Sequence, residues 1–77
     1  MWQEKDGYLQ KEFSFSSFDD ALKFVNQVAV VAEAENHHPV VIWDYDKVVI
    51  QSSTHSAGHV VTEKDNKLAN KVDSLRQ

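Results

Sequence analysis

The chain has 77 residues with no cysteine, so disulfides and thiolate metal sites are both excluded. A formal charge of −4 lacks the basic excess of a nucleic-acid binder, and no apolar run reaches the length of a membrane span. With 42% apolar and 26% charged residues and no apolar stretch over Met1–Asp6, the expectation is a soluble, cytoplasmic, single-domain protein over 1–77.

The dipeptide Asp6-Gly7 is a two-residue hairpin signal, because a type I′ turn needs positive φ at both central positions. It predicts a short strand around Trp2–Lys5 and a second from Tyr8 to Phe15. Leu9, Phe13 and Phe15 share one side of that second strand, with Lys11 interrupting them. Ser16 and Ser17 then supply a hydroxyl cap, and Asp19 and Asp20 suit the positive end of a helix. Phe18, Ala21, Leu22, Val25, Val28, Ala29 and Ala32 follow at helical spacing, predicting one helix of about 17–19 residues. Phe24 and Val31 widen its apolar face, which leaves two readings open: a deeply buried core helix, or one that also meets a second subunit.

Pro39 ends the helix, since the residue before proline avoids the helical region. Val40–Trp43 and Lys47–Ser53 read as two further strands around a tight turn near Tyr45-Asp46. The run Thr62-Glu63-Lys64-Asp65 resembles a capping box with aspartate in the usual glutamate place. Beyond it, Leu68, Ala69, Val72 and Leu75 make an amphipathic helix. The order ββαββα predicts an α+β fold: a four-stranded antiparallel sheet with two helices on one face.

Chemistry-bearing residues gather at the element ends: His37, His38, His55 and Asp65. An imidazole titrates near neutrality and so serves proton transfer in both directions. The residues alone leave a structural role and a catalytic or binding role both open. A metal site is disfavoured because adjacent His37 and His38 point to opposite sides of an extended segment. Ser52, Ser53 and Thr54 beside His55 do not by themselves make an activated nucleophile. A glycine-rich phosphate loop is absent.

The stretch Ala32-Glu33-Ala34-Glu35-Asn36-His37-His38-Pro39 is similar to the helix-end motif of the pterin carbinolamine dehydratases. Tyr45 and Lys47-Val48 follow as in that family, then Ser53-Thr54-His55, a small-residue loop with Gly58, and Thr62-Glu63-Lys64-Asp65. Upstream, Trp2, Asp6-Gly7, Phe13–Phe15 and Phe18 fit the family's opening hairpin and helix start. The resemblance covers essentially the whole chain. Three departures stand out: the family's additional N-terminal helix is missing, Val41 replaces a tryptophan common in members, and the loop after His55 is one residue longer. His59 is inserted in that loop and is expected to be solvent-exposed.

The resemblance implies a 4a-hydroxytetrahydropterin substrate, dehydrated without metal or cofactor. It casts His38 as principal acid/base, His37 and His55 as hydroxyl-binding partners, and Asp65 as the group orienting a histidine. Glu33, Asn36, Ser53 and Thr54 are the implied substrate-binding residues, the last two through backbone groups at a strand edge. It also implies a homodimer or homotetramer, consistent with the thin core of so short a chain. A second class stays open: a non-catalytic protein-binding or dimerisation module, since some animal relatives partner a homeodomain transcription factor.

Overall fold

A computed structural model describes residues 1–76 of the chain. Two strands, β1 (Gln3–Lys5) and β2 (Tyr8–Ser14), lead into helix α1 (Phe18–Glu35). Strands β3 (Val40–Asp44) and β4 (Lys47–Ser52) come next, followed by a single 3-10 turn (His55–Ala57) and helix α2 (Glu63–Ser74). The order matches the expectation, and each predicted strand boundary shifts by no more than a residue. All pairings are antiparallel in the order β1-β2-β4-β3, so the chain's last strand lies in the middle of the sheet.

Local chemistry accounts for the boundaries. Asp6 and Gly7 both have positive φ, 53° and 82°, as the hairpin turn requires. The Ser17 hydroxyl accepts from the Asp20 amide at 3.1 Å and caps α1. At the other end Asn36 takes a left-handed φ of 50°, with its amide and that of His37 closing on the carbonyls of Glu33 and Ala32. This turn stops the helix and throws His37, His38 and Pro39 across to β3.

Register places Phe13 opposite Val48 and Lys11 opposite Ile50, so these four share the sheet face that the helices cover. Phe13, Val48 and Ile50 from the sheet pack with Ala21, Phe24 and Val28 from α1 and Leu68 and Val72 from α2. Lys11 belongs on this face because it reaches Asp73 of α2 at 3.0 Å, and the indole N–H of Trp2 donates to the same carboxylate. The lysine that breaks the apolar pattern is thus an ion-pair partner at the core margin.

Phe24 corrects one reading of the wide helix face. Its ring is only 2% exposed and lies 4.7 Å from Phe13 and 5.0 Å from Phe15, centroid to centroid. It is core, and Val31 is half-buried against the same cluster. Phe24→Ala should therefore cost about 3–5 kcal/mol of stability. Urea titration followed by circular dichroism measures that loss; a loss below about 1 kcal/mol would show that the ring is not a core element.

Candidate active site

The end of α1, the end of β4 and the start of α2 meet at one corner of the fold. Between them lies an open cleft of about 400 Å³ lined by Asn36, His37, His38, Ser53, Thr54, His55, Ser56 and Lys64. All three candidate catalytic histidines line it, together with three of the four candidate binding residues. Glu33 stands one helical turn before His37 and reaches the cleft through His38.

Asp65 does not line the cleft. Its carboxylate is fully buried behind it. Oδ1 accepts from His37 Nε2 at 2.7 Å and from the Ser52 hydroxyl. Oδ2 accepts from the Thr54 hydroxyl at 2.8 Å and from the Thr62 amide at 2.9 Å, the latter completing the capping box of α2. Burial by itself would raise this carboxyl's pKa, but the bonds from His37, Ser52, Thr62 and Thr54 together outweigh it. The group is held at about 2 against an ordinary 3.8 and stays ionised. An ionised acceptor makes Nε2 the donor, so that in the neutral ring the lone pair lies on Nδ1.

His38 has the same kind of partner in a wetter place. Its Nε2 lies 2.6 Å from Glu33 Oε1, with the imidazole 56% and the carboxylate 80% exposed. His55 is exposed on the 3-10 turn and has no carboxylate partner among the described residues.

The two candidate binding residues on the strand edge differ. Thr54 has its hydroxyl bonded to Asp65 and Thr62, its amide to the Val60 carbonyl, and its carbonyl to the amides of Ala57 and His59. With every polar group engaged internally, Thr54 forms a wall of the site. Ser53 is the reverse: 6% exposed, with a buried Oγ that has no hydrogen-bond partner among the described residues. Lys64 and Ser56 were not singled out by sequence; the position of Lys64 beside the capping Asp65 was the available signal.

Trp43 lies away from the cleft. It stacks on Phe18 at 4.7 Å and donates its indole N–H to the Tyr45 carbonyl. Val41 instead borders an apolar groove beside His38, formed with Val25, Ala29, Ala32 and Pro39. Among the described residues no three histidine or acidic side chains are grouped to hold a metal ion, and no helix is long and apolar enough to cross a membrane.

A model of the family described as pterin 4 alpha carbinolamine dehydratase matches residues 1–75. The chain belongs to that family. A protein of Sulfurisphaera tokodaii named "Putative pterin-4-alpha-carbinolamine dehydratase" is 42% identical over 74 residues, covering 96% of this chain and 78% of that one. A protein of the same name from Metallosphaera sedula is 41% identical over 76 residues, covering 99% and 78%. Among solved structures, a "transcriptional coactivator/pterin dehydratase" from Brucella melitensis superposes with a TM-score of 0.87 at 37% identity, covering 95% and 79%. A pterin dehydratase-like protein titled a RuBisCO assembly factor in the alpha-carboxysome superposes at 0.77 with 26% identity, covering 97% and 86%.

The Asp65 carboxylate makes this corner of the fold acid-labile. Its folded pKa is depressed, so its contribution is complete above the ordinary 3.8 and disappears as pH falls through about 2. The loss amounts to about 2 kcal/mol. Urea midpoints measured from pH 5 down to pH 2 should fall accordingly. Asp65→Asn should be less stable at neutral pH and show a flatter acid limb; an unchanged limb would place the acid sensitivity elsewhere.

Proposed function

We propose that the chain dehydrates a 4a-hydroxytetrahydropterin to the quinonoid dihydropterin. The observation that carries this reading is one cleft lined by three imidazoles, two of them bonded to carboxylates. In the reaction the C4a–O bond breaks, the hydroxyl leaves as water with a proton supplied by an imidazolium, and the N5 proton passes to an imidazole lone pair. A C4a=N5 double bond forms. No electrons are exchanged, so the chemistry calls for no redox group.

His38 is the principal acid/base in this proposal: it stands at the cleft mouth in contact with water, with its Nε2 2.6 Å from Glu33 Oε1. His37, oriented by Asp65, and His55 hold the departing hydroxyl. Asp65 is a positioning residue, acting through His37. Asn36 and the Ser53 hydroxyl are the groups left to meet the pterin's donor and acceptor edge.

A second reading is a non-catalytic binding module of the same fold, supported by the neighbour titled an assembly factor. A dehydration assay with chemically generated 4a-hydroxytetrahydropterin separates the two. Turnover is expected, with His38→Ala slower by at least ~10²-fold and correctly folded. Ser53→Ala should raise KM about five- to tenfold without loss of stability, since it breaks no bond within the protein. No turnover by the wild-type chain, or normal turnover by folded His38→Ala, would refute the proposal. Activity should also survive exhaustive chelation.

We further propose self-association through β3. This edge strand carries Val40, Val41 and Ile42 at 44%, 38% and 49% exposure, apolar surface and unpaired backbone together. Light scattering at micromolar concentration should show a dimer or tetramer that Ile42→Lys weakens; a monomeric wild type would count against it.

A further inference from the structure

The loop between His55 and Val60 is more constrained than its exposure suggests. Thr54 and Val60 form an isolated antiparallel bridge, and the Gly58 amide closes on the His55 carbonyl at 3.0 Å. His59 is therefore placed where its ring meets the ring of His55, centroids 4.2 Å apart and planes at 69°, edge to face. This spacing, His55-Ser56-Ala57-Gly58-His59, was visible in the sequence, but only the turn brings the two rings together.

The backbone of His59 is itself held. Its φ of 59° is left-handed, a conformation that few non-glycine residues adopt. The His59 amide donates to the Thr54 carbonyl at 3.1 Å. On its other side lies the hairpin turn: a Cβ added at Gly7 would fall 2.5 Å from the His59 carbonyl oxygen. Gly7 thus has two reasons to be glycine, its own positive φ and the close approach of a distant loop.

We propose that His59 is a positioning residue for His55. The β1–β2 turn packs closely against the His59 carbonyl, and the His59 ring limits the rotamers open to an otherwise exposed imidazole on a single helical turn. The order of support runs from Gly7 to His59 to His55 to the cleft. Only the kinetic consequence of this inference rests on the dehydratase reading.

Two variants test it. His59→Asn keeps a residue that tolerates the left-handed backbone and removes the ring; His59→Phe restores a ring of similar span. Both are checked for folding by circular dichroism. The first readout is the His55 imidazole proton resonances in NMR spectra. They should shift in His59→Asn, where the neighbouring ring current is lost, and remain displaced from that position in His59→Phe. The second is dehydration, where His59→Asn should lower kcat about tenfold and His59→Phe should return to within about twofold of wild type. His55 resonances unmoved by His59→Asn would overturn the proposal whatever the activity. So would a kcat that His59→Phe fails to restore while the resonances recover. A wild-type protein with no turnover would sink the dehydratase reading alone, leaving the resonances to judge the contact.

Discussion

The buried carboxylate of Asp65 is the point on which the rest of this fold depends. A carboxylate offers about four lone-pair sites. Here they take up side chains from β4 and the loop beyond it, the amide of the Thr62 N-cap of α2, and the imidazole that follows α1. An isolated charge at zero exposure would be strongly unfavourable. This one sits at the positive end of a helix and meets several aligned donors, so ionisation is favoured in spite of burial. Replacing any one donor leaves the charge less compensated, which couples the helix cap, the strand end and the orientation of His37 into one unit.

The remaining charged ties between elements are of a different kind. Glu35, at the C-terminus of α1, meets Lys67 and Lys71 of α2 at 3.5 Å each, and Asp73 near the end of α2 gathers Trp2 and Lys11 from the opening hairpin. These contacts are at least partly exposed and individually weak. They align elements that the apolar core already holds, whereas the Asp65 cluster determines where groups stand to within hydrogen-bond distance. The corner with the most demanding geometry is also the corner with the candidate site.

Much of this was legible because it is local. Ser17, Asp6-Gly7, Pro39 and the Thr62–Asp65 capping box act within three or four residues of themselves, and those boundaries follow from propensity and capping alone. The pairing of Lys11 with Asp73 spans most of the chain, so a lysine in an apolar pattern could only be read as an interruption. Phe24 looked surplus on a helical wheel because a wheel does not show that the sheet's Phe13 and Phe15 need a third ring. Thr54 and Ser53, adjacent and chemically alike, face different fates for the same reason. Alternation along the strand end turns one hydroxyl toward Asp65 and leaves the other unpartnered, and nothing in the pair of residues records which.

The two carboxylate-paired histidines are adjacent in sequence, yet their environments set them apart. The His37 side chain is 14% exposed against a carboxylate at 0%, while His38 and Glu33 are 56% and 80% exposed. A buried pair with an acceptor locked in the ionised state keeps its ring orientation and tautomer, which suits holding a group in place. An exposed pair is free to swing and meets water directly, which suits the proton donor of the proposed reaction. The dehydration proposed above would use both kinds: a fixed partner for the hydroxyl that leaves and a renewable donor for the proton that goes with it. The left-handed turn at Asn36 makes the division possible, because it sends two consecutive imidazoles in different directions, one into the Asp65 cluster and one back against α1.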